Sequence, residues 1–265
     1  MTVALITGST RGIGRAIADA LADQGVTVVI HGRHAHDVDM RVQEIRQRGK
    51  IAIGIVADFT DRAATRTVVA QIIEAFGRID ILVNNAGLIR DCRLINMTEQ
   101  DWHDVMDVHL HAVFSVTQAA VLVMKQQMAG IIINMTSFAG LQGNAGQANY
   151  ATAKAGILGL TWTLAKELAT YNIRVNALSP AALTDMTRPH VERAILKAEQ
   201  RGETLPSYWK IGSTQAVAKA VCLLCEDEAA HVTGQVIGVN GDQITLYEHP
   251  GVRTLTSLSD LWQVT

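Results

Sequence analysis

The sequence predicts a doubly wound α/β fold, a parallel sheet of about seven strands with helices on both faces. Three observations carry this. Short β-branched runs alternate with longer stretches whose apolar residues recur at helical spacing. The short runs are continuously apolar, as strands buried on both faces must be. And 48% of the 265 residues are apolar while 18% are charged, a balance that suits one large buried sheet.

Strands are expected at Val3–Thr7, Thr27–His31, Ile51–Ala57, Ile81–Asn84, Ile131–Thr136, Ile173–Ser179 and Gln235–Val239. Helical patterns fill residues 13–24, 37–48, 61–76, 99–127, 150–170 and 214–226. No Pro/Gly/Ser linker divides the chain, so residues 1–265 read as a single domain. Pro180–Gly212 is too long for an ordinary connection and holds a helical stretch, Arg188–Arg201; it reads as a lid over a binding site. Residues 243–265 show no strong periodicity, but Tyr247, Leu255 and Trp262 mark them as a tail that packs on the body.

Composition also excludes several classes. A net charge of −2 gives no footprint for nucleic acid or an anionic membrane. No run approaches the ~20 apolar residues that span a bilayer, and the N-terminus lacks the basic region of a signal peptide. Three cysteines make no disulfide framework, so a cytoplasmic location is expected. Cys222 and Cys225 read as small apolar residues on the buried face of a helix. His31, His34 and His36 cluster in one loop without a completing ligand, and no metal is assigned.

The first strand runs into Thr7-Gly8-Ser9-Thr10-Arg11-Gly12-Ile13-Gly14, and a helix starts at once. Glycines there allow a tight turn and close approach of backbone to a pyrophosphate. The helix N-terminus adds unpaired N–H groups and positive dipole. This is a Rossmann-type setting with the spacing G-x-x-x-G-x-G. Further along stand Asn84-Asn85-Ala86-Gly87, then Tyr150-x-x-x-Lys154 with Ser137 thirteen residues before the tyrosine, then Arg174-Val175-Asn176-Ala177-Leu178-Ser179-Pro180. Four motifs in this order resemble the classical short-chain dehydrogenase/reductase family along nearly the whole chain.

The resemblance implies a nicotinamide dinucleotide held by Gly8, Thr10, Arg11, Gly12, Ile13 and Gly14. Asp58, with Phe59 beside it, would meet the adenine, and Asn85, Ala86 and Gly87 would line the adenosine ribose. Tyr150 and Lys154 would meet the nicotinamide ribose, with Pro180, Leu183 and Thr184 near the nicotinamide amide. Where NAD-dependent relatives carry Asp at the end of the second strand, this chain has Gly32, followed by Arg33. With Arg11, Arg33 suits a 2′-phosphate, so NADP(H) is expected, with NAD the alternative.

Free tyrosine, with a pKa of about 10, is a poor base at neutral pH. Lys154 lies one helical turn from Tyr150 on the same face, and its charge would favour the phenolate. Tyr150 would protonate a carbonyl oxygen in reduction and take the proton back in oxidation. Ser137 would hold the same oxygen. At His109 the family usually carries Asn, which holds a water linking Lys to solvent. An imidazole could sustain such a relay and, with a pKa near 6.5, would add pH sensitivity. Hydroxyacyl-CoA dehydrogenase domains of peroxisomal multifunctional enzymes look similar at this position.

The runs Gly143–Tyr150 and Leu88–Asp91 are similar to beta-ketoacyl carrier-protein reductases. The expected substrate is therefore a ketone or 3-oxoacyl thioester, walled by Ser137, Gln142, Gly143, Asn144 and Met186. Arg188, Arg193, Lys197 and Arg201 could serve CoA phosphates or form a solvated face. Two competing functions remain: a non-catalytic NADP(H) sensor, and an epimerase or dehydratase on the same fold. The apolar helices at 99–127 and 150–170 would pair in a homotetramer, as they do in the family, with a dimer the alternative.

Overall fold

A computed structural model describes residues 1–205 and 209–251. All seven expected strands are present, their ends shifted by a residue or so: β1 (Val3–Ile6), β2 (Thr27–Gly32), β3 (Ala52–Val56), β4 (Ile81–Asn84), β5 (Gly130–Met135), β6 (Ile173–Pro180) and β7 (Val236–Asn240). They form one sheet in the order β3-β2-β1-β4-β5-β6-β7, every pair parallel. The order reverses beside β1, so the connections leaving β1 and β4 diverge and open a crevice at the strands' carboxyl ends.

An eighth strand corrects the expected count. β8 (Gln243–Tyr247) runs antiparallel to β7, with Asn240 opposite Gln243, so only Gly241 and Asp242 make the turn. The tail expected from residue 243 thus begins as an edge strand. Leu255 and Trp262 lie outside the described residues.

Helices α1 (Gly12–Asp23), α2 (Ala35–Gln47), α3 (Arg62–Phe76), α4 (Glu99–Met106), α5 (Ala112–Gln127), α6 (Phe138–Gln142), α7 (Ala148–Glu167), α8 (Arg188–Arg201) and α9 (Thr214–Cys225) cover the two faces. Successive residues of β1 supply opposite cores, as strand periodicity requires. Ala4 and Ile6 pack with Ile17 and Leu21 of α1, Ile45 of α2 and Val217 and Val221 of α9. Val3 and Leu5 pack with Val68 and Ile72 of α3 and Val116 and Met124 of α5. Each such aliphatic side chain contributes about 1.5–3 kcal/mol through burial.

α4 and α5 are joined by a single π turn, Asp107–His111, into one helix over Glu99–Gln127. By length and composition this helix could cross a membrane, contrary to the sequence expectation. Its Val108, Ala112, Val116, Ala120 and Met124 are instead spent on the sheet. His31 is not in a loop; it is a buried residue of β2. Cys222 lies in the α9 core with Cys225 packed against it, and burial pushes their thiols up to about 11 and about 12.

Candidate active site

The glycine-rich turn is shaped by close approaches that only glycine permits. Gly8 and Gly12 adopt φ of 65° and 57°. A Cβ on Gly8 would stand 2.8 Å from the Ala86 Cα, and one on Gly14 would run into the Gly8 carbonyl. The turn is sewn to the end of β4. The Thr7 hydroxyl accepts the backbone N–H groups of Asn85 (2.9 Å) and Ala86 (3.0 Å), and the Asn85 amide donates to the carbonyls of Thr7 (2.9 Å) and Gly8 (3.1 Å). Asn85 therefore spends its side chain on the turn itself.

α1 opens without a side-chain cap, its N-cap Arg11 extended, and with no acidic residue in its first turn. Its free N–H groups and dipole form an anion site. Thr184 leans over the start of this helix, 3.6 Å from the point a Gly12 Cβ would occupy. This cradle fits a dinucleotide pyrophosphate.

At the end of β2, a Cβ on Gly32 would stand 2.7 Å from Thr10 Cγ2 and 3.1 Å from Val38. An aspartate there would not fit without displacing Thr10. Arg33 is exposed, its Nε donating to His34 Nε2 at 3.1 Å, and its charge helps hold the Asp58 carboxyl low. The larger cause is Thr60, whose N–H and hydroxyl both donate to Asp58 Oδ1 at 2.9 Å. The Phe59 ring is turned into the core. It is buried and stacked on His31 at 4.2 Å, leaving only its main chain for a cofactor. His31 in turn accepts the Gly8 N–H at Nδ1 (3.0 Å), so the turn leans on a neutral imidazole that burial holds down to about 4.

Ser137, Tyr150 and Lys154 converge at the carboxyl end of β5. Ser137 follows β5 and N-caps the short α6, its hydroxyl accepting from the Ala139 N–H at 3.2 Å. Its hydroxyl is near enough to the Tyr150 phenol to act to lower the phenol's pKa. Tyr150 and Lys154 are one turn apart on α7. Lys154 is 4% exposed; its Nζ donates to the Met135 carbonyl (2.6 Å) and lies 5.7 Å from the Tyr150 ring centre. Burial lowers the ammonium to about 7.

Burial also raises the Tyr150 phenol, and Ser137 only partly offsets it. The expectation that Lys154 draws the phenol below its ordinary value is thus not met. The ammonium is turned to the Met135 carbonyl, and desolvation is the main influence on the phenol.

His109 sits in the π turn, buried and edge-on to Tyr150 with ring centres 5.1 Å apart. Its Nε2 lies 2.8 Å from the Leu88 carbonyl and 3.0 Å from the Leu88 N–H. Burial, with the Lys154 charge second, lowers it to about 3. The expected pH sensitivity near 6.5 is therefore corrected: this imidazole stays neutral across the physiological range. The ring also fills the space beside Gly87, where a Cβ would meet His109 Cε1 at 2.6 Å.

Pro180 ends β6, and the segment beyond it folds back so that Ala182 bridges Gly212. Gln142, Gly143 and Asn144 are exposed after α6, while Leu183 and Met186 are each 39% exposed. None of these lines the cavity of about 510 Å³ bounded by Ile89, Arg90, Asp91, Cys92, Asn96, Asp101 and Arg193 of α8. Sequence reasoning missed a polar chain beside Tyr150. The Asn144 amide donates to Gln147 Oε1 (2.8 Å), and the Gln147 amide donates to Asp91 (2.6 Å). It also missed Asn149, whose amide donates to the carbonyls of Arg90 and Asp101 (3.1 Å each). The runs Leu88–Asp91 and Gly143–Tyr150 were the available signal.

Comparison with known proteins agrees with this geometry. Residues 2–194 match the short chain dehydrogenase family. The chain is 41% identical over 239 residues to the 3-oxoacyl-(acyl-carrier-protein) reductase FabG of Thermotoga maritima, covering 90% of this chain and 96% of that one. It is 39% identical over 242 residues to the FabG reductase of Escherichia coli, with the same coverage. The Staphylococcus epidermidis reductase is 40% identical over 240 residues, covering 90% and 97%.

Proposed function

Because the chain belongs to the short-chain dehydrogenase family, we propose that it is an NADP(H)-dependent reductase of a ketone, specifically of a 3-oxoacyl thioester, with Tyr150 as its general acid. The observation that carries this reading is the convergence of the half-buried Tyr150 with Ser137 and Lys154 at the carboxyl end of β5, beside a glycine turn fit for a dinucleotide. Gly8, Gly12, Gly14 and the N–H groups of α1 would hold the pyrophosphate, and Arg33 with Arg11 the 2′-phosphate. When bound, the nicotinamide supplies the hydride.

The protein's part is to hold an oxygen and move a proton. Ser137 fixes the carbonyl oxygen, and Tyr150 gives it a proton as charge develops there. A phenol raised by burial is neutral at working pH, the form that gives a proton in reduction. Lys154, lowered to about 7, can carry or release a proton under the same conditions. It would restore the phenol's proton. His109 keeps Tyr150 in place as a neutral ring and completes the packing behind it.

The thioester assignment rests on the relatives, which are named as 3-oxoacyl-(acyl-carrier-protein) reductases. Residues 180–205 and 209–212, Met186 among them, would form the lid, with Gln142, Gly143 and Asn144 at its edge and Arg193 at the mouth; the rest of the expected 180–212 lid lies outside the described residues. Phe114 and Leu122 of α5 are exposed, 49% and 63%, and support a homotetramer built on that helix and α7.

The test is absorbance of the reduced nicotinamide when the protein is mixed with NADPH and a panel of ketones and 3-oxoacyl thioesters. Steady consumption supports the reductase. NADPH binding without turnover would make the protein a sensor, and product without net cofactor change an epimerase or dehydratase.

A further inference from the structure

The β7–β8 hairpin touches both sides of the cleft. At its turn, Gly241 lies against Gly212, where a Cβ would run into the Gly241 backbone nitrogen. Gly212 is the far foot of the segment that leaves β6: its N–H donates to the Ala181 carbonyl (3.0 Å), and its carbonyl accepts the Leu183 N–H (2.9 Å).

At the hairpin's other end, Tyr247 folds back over β7. A Cβ on Gly238 would stand 2.9 Å from its Cε2 and 3.1 Å from its hydroxyl. Glycine weakens a strand interior, and here it marks the close approach of this ring. The ring meets Phe138 with centres 6.5 Å apart and, with Leu141 and Trp162, closes a small cluster of Leu158, Ala177 and Val236. His249, two residues on, lies against Trp162 at 4.6 Å.

Phe138 and Leu141 belong to α6, the helix capped by Ser137 and running into Gln142–Asn144. Five residues cannot hold a helix on their own, because nucleation costs more than one turn returns. The orientation of α6 is therefore set by what packs on it.

We infer that Tyr247 is a positioning residue for the substrate wall. It braces α6, and so fixes Ser137 and residues 142–144 relative to Tyr150, while the hairpin ties that wall to the foot of the segment over the cleft. The inference rests on the proposed reductase activity for its kinetic consequence, but not for its structural one.

The test compares Tyr247→Ala and Tyr247→Phe in the full chain. The readouts are NADPH affinity, kcat and KM for 3-oxoacyl thioesters of two lengths, and hydrogen exchange at residues 138–144 and 12–23. Tyr247→Ala is expected to lower kcat/KM by about tenfold or more, since misplacement of about 1 Å can cost about a hundredfold. NADPH affinity should stay within about twofold. Exchange should quicken at 138–144 and not at 12–23. Tyr247→Phe, which keeps the ring, should match the parent in every readout.

Parental exchange at 138–144 together with parental kcat/KM in Tyr247→Ala would overturn the inference. So would a parallel loss of NADPH affinity and of protection at 12–23, which would make Tyr247 a general prop of the fold. Should Tyr247→Ala fail to fold, Tyr247→Leu is read by the same criteria. A parent protein that turns over nothing, combined with quickened exchange at 138–144, would leave the brace standing and remove the reductase reading.

Discussion

In the proposed reading Arg33 and Gly32 would decide the cofactor between them, in different ways. Gly32 is where an acid would select NAD, but Thr10 and Val38 crowd that position. Arg33 points outward with no acidic partner among its hydrogen bonds. Charge-assisted bonds from a guanidinium to a phosphate contribute about 1.5–3 kcal/mol. Arg33→Asp should therefore raise the Kd for NADPH by roughly ten- to a hundredfold and turn preference toward NADH, leaving the fold intact. Ratios of kcat/KM for the two cofactors would show it, and an unchanged ratio would contradict it. Ser137, Tyr150 and Lys154 were singled out by the motifs of the resemblance, and the structure brings the three to one end of β5. Their electrostatics were not legible: that Lys154 would face the Met135 carbonyl, and that burial would dominate the phenol, depend on distances no spacing encodes. His109 was visible as a departure, and its Nε2 hydrogen bond to the Leu88 backbone became clear only once β4 and the π turn were placed together.

At the level of elements, the sequence reading succeeded where periodicity was long and failed where it was short. Helices such as α1 and α3 repeat their apolar faces over several turns. β8 has five residues whose Ile244 and Leu246 face outward, so it showed no burial pattern. A signal was nonetheless present: Gly241-Asp242 between two β-branched runs is a two-residue hairpin turn. α6 is too short to show a period, and the π turn at Asp107–His111 is hidden inside an otherwise regular repeat. Caps carry measurable weight at this scale. Asp61 accepts the N–H groups of Ala63 (2.8 Å) and Ala64 (3.2 Å) at the head of α3. Asp61→Ala should cost about 1 kcal/mol, lowering Tm by about 2–4 °C in a thermal melt. No change in Tm would mean that α3 is held by packing alone.

For the whole molecule, two buried imidazoles make stability depend on acidity. His31 is held down to about 4 and His109 to about 3, both by burial. Between their ordinary value of about 6.5 and these folded values, the unfolded chain binds two protons that the folded protein refuses. Stability should then fall as pH is lowered, by about 2 kcal/mol for each histidine between pH 7.5 and 5. Urea unfolding at the two pH values would show it, and equal stability at both would count against buried neutral rings. In the proposed reading the sheet would join two functions at its switch point: β1 and β2 would present the dinucleotide cradle, and β5 with α7 the proton donor. These halves should come apart under one substitution. Tyr150→Phe, assayed for NADPH affinity and turnover together, should keep its affinity within about twofold and lose turnover by about a hundredfold to ten-thousandfold. Full turnover by the phenylalanine variant would contradict the assignment of the proton to Tyr150.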